Sequence, residues 1–193
     1  MNEQEKEILR HPGFDVEAIR RDFPYLEDKN PVIYLDNAAT TQRPRQVLER
    51  MDAFYRHENA NPLRGNHRLS LYATEAYEKA REHVATFIHA ESPEQIIFTR
   101  NATESLNLVA YYFGLNVLKP GDEVLITRLE HHSNCVNWQF ACQRSGATLR
   151  YIELGEDYQL DPEDFAAKLS EKTKVLAISA ASNVIGTLPP VKA

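Results

Sequence analysis

Glu130-His131-His132-Ser133-Asn134 places two adjacent imidazoles directly after the apolar run Val124-Leu125-Ile126-Thr127. Imidazole stacks on aromatic rings, exchanges protons near neutral pH and ligates metals. The pair therefore admits several readings: ring stacking, acid–base chemistry, zinc binding with Cys135, or two histidines at a helix start bonded to backbone. Zinc lacks a fourth ligand and a second cluster. Upstream, Arg100-Asn101-Ala102-Thr103-Glu104 separates a second apolar run, Ile96-Ile97-Phe98-Thr99, from a helical pattern. A helix start offers unpaired N–H groups and a positive dipole end, and Thr103 adds a hydroxyl, so the segment reads as a phosphate cradle. Taken alone it reads more readily as a capping box, with Asn101 as N-cap and Glu104 three residues on, because caps are common and phosphate sites are not.

Two further segments carry polar groups in turns. Ser182-Asn183-Val184-Ile185-Gly186-Thr187 follows an apolar run; Asn183 can face a ligand at a strand end, or simply serve the turn. Arg64-Gly65-Asn66-His67-Arg68 suits an anion or a subunit contact, and otherwise is a solvated basic loop. The two cysteines, Cys135 and Cys142, lie about two helical turns apart and are expected to be structural.

These groups need elements to position them. Val16 to Phe23 reads as a short helix ended by Pro24, and Val32 to Leu35 as a short strand. A helix is expected from Pro44, with Val47, Leu48, Met51, Phe54 and Tyr55 at helical spacing, and a loop over Asn59 to Asn66. A long helix follows from Ser70 to His89. From there strands and helices alternate: strand Gln95–Thr99, helix Thr103–Phe113 closed by Gly114, strand Glu123–Thr127, helix Ser133–Arg144 closed by Gly146, and strand Thr148–Glu153. Asp161-Pro162 caps a helix to about Ser170, and Lys174–Ser179 is a strand. Such alternation predicts an α/β fold with a mostly parallel sheet flanked by helices. No crossover helix follows the last strand, which predicts a chain interrupted in mid-domain.

Composition narrows the classes. The chain has 193 residues, a formal net charge of −6 and 42% hydrophobic residues, ordinary for a globular domain. An acidic balance argues against nucleic acid as the main partner. No apolar run is long enough to span a membrane, Met1 to Arg10 lacks a secretory core, and two cysteines make no disulfide framework, so a cytoplasmic protein is expected.

The order of these segments is more specific than any one of them. Tyr34 to Thr41 (Tyr-Leu-Asp-Asn-Ala-Ala-Thr-Thr), Arg64 to His67, Arg81 in a Tyr-Glu-x-Ala-Arg run, Arg100 to Glu104, Glu130 to Asn134 and Ser182 to Thr187 together resemble the group II, SUF-type cysteine desulfurases. These belong to the class V aminotransferase-like branch of fold-type-I pyridoxal phosphate enzymes, and the resemblance runs from about Phe14 to the last residue. It implies a partial fold-type-I large domain over residues 31–193, preceded by an N-terminal segment, residues 1–30, that contributes to a small domain. Selenocysteine lyases and other class V aminotransferases share parts of the pattern.

The resemblance also assigns roles. Backbone N–H groups of Ala102 and Thr103 face the phosphate of pyridoxal 5′-phosphate, His131 stacks on the pyridine ring as the catalytic histidine, and Asn183 lies near the phenolic oxygen. Ala38, Arg64 and His67 fall on the substrate or interface side, and no metal is implied. The activity implied is conversion of L-cysteine to L-alanine. Sulfur passes to an enzyme thiol as a persulfide and onward to a sulfur-acceptor protein for iron–sulfur cluster assembly; a homodimer is expected. The chain departs from the pattern at Asn101-Ala102, where the family has Gly-Thr, and at Leu63, where it has His. No lysine here stands in the context of the tethering lysine, and neither cysteine matches the persulfide-forming one. The expectation is therefore the N-terminal portion of such an enzyme, inactive by itself; a non-enzymatic half-domain completed by a partner chain is the alternative.

Overall fold

The computed structural model describes residues 15–27 and 32–189. The polar stretch Met1 to Arg10 and the closing Pro190 to Ala193 lie outside the described residues. The chain divides into two compact units, Met1–Ile97 and Phe98–Ala193.

In the first unit, α1 (Val16–Arg20) is capped by Asp15, whose carboxylate accepts from the Ala18 N–H at 3.0 Å. A 3-10 turn, Pro24–Glu27, follows. The strand expected at Val32 to Leu35 is absent: the segment joins no ladder, and Val32, Ile33 and Leu35 are exposed. An apolar β-pattern becomes a strand only when a neighbour offers its ladder, and none does among the described residues. Helix α2 (Arg45–Ala53) starts after Pro44 and runs into a π-turn, Phe54–Glu58. Helix α3 (Arg68–Phe87) begins two residues before the expected start because His67 caps it, its Nδ1 accepting from the Ser70 N–H at 3.3 Å. Ser70, Ala73 and Ala85 are its buried residues. The strand expected over Gln95–Thr99 is also corrected: Pro93–Gln95 is a 3-10 turn and the residues after it form no ladder.

In the second unit, α4 (Ala102–Asn116) runs through Gly114 rather than stopping there. A Cβ at Gly114 would lie 3.1 Å from the Ala141 backbone, so this glycine admits a neighbouring helix instead of ending its own. Strand β1 (Glu123–Thr127) matches expectation, and α5 (Val136–Ser145) ends at Gly146 in the left-handed conformation, φ +77°. Strand β2 (Thr148–Ile152), α6 (Pro162–Lys168) and β3 (Thr173–Ala177) complete the unit. The Asp161 carboxylate caps α6, accepting from Glu163 N–H at 2.9 Å and Asp164 N–H at 3.2 Å.

All strand pairs are parallel, in the order β2-β1-β3. Val124, Leu125 and Ile126 of central β1 are fully buried. Ala110, Leu118, Val124, Ile126, Trp138, Ala141, Cys142 and Ala177 form one core, with Phe113 edge-on to Trp138 at 6.1 Å between ring centroids. The fold is thus α/β with a parallel sheet and helices, as the alternation of elements implied.

Candidate cofactor site

The strand order has a consequence for ligand placement. From β1 the chain crosses to β2 on one side, then returns past β1 to β3 on the other. Reversal of this kind opens a crevice beyond the carboxyl ends of β1 and β3, where open α/β sheets bind ligands. The His131 turn leaves β1 at that end.

The start of α4 supplies donors. The Asn101 side chain accepts the Glu104 N–H at 3.0 Å, so the capping reading holds in part. Glu104, however, does not reach back to Asn101. Its carboxylate accepts from the Arg100 N–H at 2.7 Å and from the Arg100 guanidinium. These bonds, the backbone one foremost, hold the Glu104 carboxyl below the usual carboxylate range. Capping consumes neither the Ala102 nor the Thr103 N–H; among the described residues neither takes an acceptor. Both residues are exposed. A cap and two unspent N–H donors therefore coexist on one helix end.

Thr103 and His131 line one shallow hollow of about 290 Å³, together with Asn107, His132, Ser133, Val136, Asn137 and Phe140. The sequence reading had not marked Asn107 or Phe140; helical spacing from Thr103 and Val136 to these residues was the available signal. The His131 ring is oriented from within its own turn. The Ser133 N–H donates to His131 Nδ1 at 3.1 Å, and Ser133 Oγ lies 2.8 Å from the same nitrogen. A ring nitrogen that accepts an N–H is unprotonated, which puts the proton of the neutral ring on Nε2. The His132 ring is tilted 58° from it at 6.3 Å, so the two imidazoles do not stack on each other.

Asn183 does not line this hollow. It is exposed in a turn closed by Gly186 N–H to Ser182 O at 3.1 Å and Ser182 N–H to Thr187 O at 2.9 Å. Ala38, Arg64 and His67 belong to the first unit. Ala38 sits in a turn with Ala39 N–H and Thr40 N–H on Asp36 O, and the Tyr34 hydroxyl donates to the Asp36 and Thr40 carbonyls. Arg64 and His67 are exposed on the loop before α3, which Ser70 anchors by donating to Asn61 O at 2.6 Å and accepting from Gly65 N–H at 3.1 Å. Of the expected cofactor-side residues, Thr103 and His131 line one hollow, and Asn183 is not among the residues lining it.

Glu130 is a further residue that sequence reasoning did not mark. Its carboxylate accepts from Thr127 Oγ1, Asn134 Nδ2, Ser179 N–H and Ser179 Oγ at 2.6–2.8 Å. Cys142 is buried, and burial pushes its thiol up to about 11; Cys135 is half-buried beside the Tyr151 hydroxyl at 3.7 Å.

A parallel sheet with a switch point and flanking helices defines an open α/β domain. Residues 33–193 match the family Aminotransferase class-V, and the chain belongs to that family. It is 49% identical over 178 residues to a probable cysteine desulfurase of Synechocystis sp., spanning 91% of this chain and 42% of that protein. A cysteine desulfurase of Synechococcus elongatus is 43% identical over 93% of this chain and 29% of its own length. Among solved structures, the apo cysteine desulfurase of Thermococcus onnurineus NA1 superposes with a TM-score of 0.83 at 41% identity, over 92% of this chain and 43% of that one. The cysteine desulfurase CsdA of Escherichia coli gives 0.79 at 34% identity, over 92% and 44%. The chain thus spans less than half the length of these relatives. No helix among the described residues is long and apolar enough to cross a membrane.

Proposed function

We propose that this chain is the N-terminal portion of a pyridoxal 5′-phosphate-dependent cysteine desulfurase of the group II, SUF type, with residues 1–30 contributing to a small domain and 31–193 to the cofactor-binding domain. The observation that carries the reading is the shared hollow of Thr103 and His131 at the carboxyl end of the sheet.

The donor set fits the cofactor. The N–H groups of Ala102 and Thr103 and the Thr103 hydroxyl suit a phosphate at a helix start. The His131 imidazole, turned by Ser133, suits the face of a pyridine ring, and Asn183 is assigned to the phenolic oxygen. Bound pyridoxal 5′-phosphate supplies an electron sink for carbon–sulfur bond cleavage. The chain's own residues bind and orient it, and His131 holds a proton at Nε2. The reaction assigned to the longer protein is L-cysteine to L-alanine, with persulfide sulfur delivered to an acceptor protein in the cytoplasm. A homodimer is proposed, with Ala38, Arg64 and His67 on its substrate or interface side.

Titration of isotope-labelled chain with pyridoxal 5′-phosphate, followed by NMR, tests this. The expected result is concentrated shifts at Ala102, Thr103 and His131; shifts scattered over α6 and β2 would overturn it. The same chain given the cofactor and L-cysteine is expected to release no sulfide.

A further inference from the structure

We propose that Glu130 is the positioning residue of this site, fixing the His131 turn and coupling it to the segment that carries Asn183. What is positioned rests on the reading above; the coupling itself does not.

Three parts of the chain converge on one carboxylate. Oε1 accepts from the Thr127 hydroxyl at 2.7 Å and the Ser179 N–H at 2.8 Å; Oε2 accepts from Asn134 Nδ2 at 2.6 Å and the Ser179 hydroxyl at 2.7 Å. Thr127 is the buried last residue of β1, Asn134 closes the 3-10 turn His132–Asn134, and Ser179 lies just past β3. Each contact continues into structure. Thr127 Oγ1 accepts from Leu129 N–H at 3.1 Å, and Asn134 Oδ1 accepts from Trp138 Nε1 at 3.2 Å, reaching the core. Past Ser179, buried Ser182 accepts from the N–H groups of Val184 and Ile185 at 3.3 Å, holding the turn that bears Asn183. Glu130 therefore bridges β1 and β3 across the switch point, and His131 follows it directly in the chain.

Only an acceptor-only group satisfies this arrangement. A glutamine would present one N–H₂ group to one of the two donor pairs. On the Oε1 side it would meet the Ser179 N–H, which cannot turn away. On the Oε2 side it would meet the Asn134 amide, which cannot flip without losing Trp138. Either orientation leaves a donor unsatisfied, and hydrogen bonds to charged groups are the strong ones.

The test uses ligand-free, isotope-labelled chain as wild type, Glu130→Gln, Ser179→Ala and the double variant. Glu130→Gln is expected to speed Ser179 amide exchange by roughly tenfold or more and to shift His131, Ser133 and Asn183 signals together. Ser179→Ala, which removes a single hydroxyl and guards against a misfolded glutamine variant, is expected to shift His131 although it lies on the other segment. That response should vanish in the Glu130→Gln background. Changes in Ser179→Ala confined to residues 177–187, or a His131 response that persists in the double variant, would overturn the proposal. Adding pyridoxal 5′-phosphate then separates the two ideas. A wild-type chain whose Thr103 and His131 signals ignore the cofactor defeats the functional reading, while the coupling is judged on the ligand-free spectra.

Discussion

Gly114 of α4 packs directly on Ala141 of α5: a Cβ at 114 would lie 3.1 Å from both Cα and Cβ of Ala141. The same two helices are joined nearer their starts, where Asn137 Nδ2 donates to Leu106 O at 3.0 Å. Gly114→Val would push methyls into Ala141, which is itself buried in the core. Overpacking of this kind costs about 2 kcal/mol. Urea denaturation is expected to show that loss, and an unchanged midpoint would contradict the close-packing account.

Gly65 presents a sharper version of the same constraint in the first unit. A Cβ there would collide with the Ser70 hydroxyl, which is fully buried and holds Asn61 O and Gly65 N–H. Gly65→Ala must displace that side chain and break both hydrogen bonds, at a cost of about 1–3 kcal/mol. The expected outcome is a lower melting temperature with faster amide exchange over residues 61–67. Exchange matching wild type would show that the loop does not depend on Ser70.

Asp164 predicts an acid limb. The Lys168 ammonium, donating at 2.7 Å, and the Glu153 N–H, donating at 2.8 Å, hold its carboxyl below the ordinary value. The unfolded chain therefore binds the proton first as pH falls. The stabilisation is present above the ordinary carboxylate value, about 3.9, and is lost as pH drops from there through the folded value. Asp164→Asn is expected to flatten the fall in denaturation midpoint below about pH 4 relative to wild type. Parallel curves for the two proteins would remove Asp164 as a source of that limb.

The two cysteines are expected to react differently. Burial raises the Cys142 thiol to about 11, whereas Cys135 is half-buried. At pH 8 a thiol of that value is thiolate in roughly one molecule in a thousand. Iodoacetamide followed by peptide mass spectrometry should label Cys135 first and Cys142 only as the chain unfolds. Equal rates in the native protein would contradict the buried placement.

Local chemistry made much of this legible from the residues. Asp161-Pro162 marked the start of α6, Gly146 the end of α5, and the apolar run after Gly121 located β1, because caps, left-handed glycines and buried strands depend on neighbours close in sequence. The ordered motifs from Tyr34 to Thr187 likewise identified the family, since they record chemistry residue by residue. What remained hidden depended on distant partners. Val32–Leu35 and Ile96–Thr99 have strand-like composition yet join no ladder, because a strand is made by the segment beside it. Gly114 looked like a helix end and proved to be a helix contact with Ala141. Glu130 looked like a neighbour of two histidines; only the folding of β3 beside β1 brought Ser179 to its carboxylate and joined the ends of the two strands there.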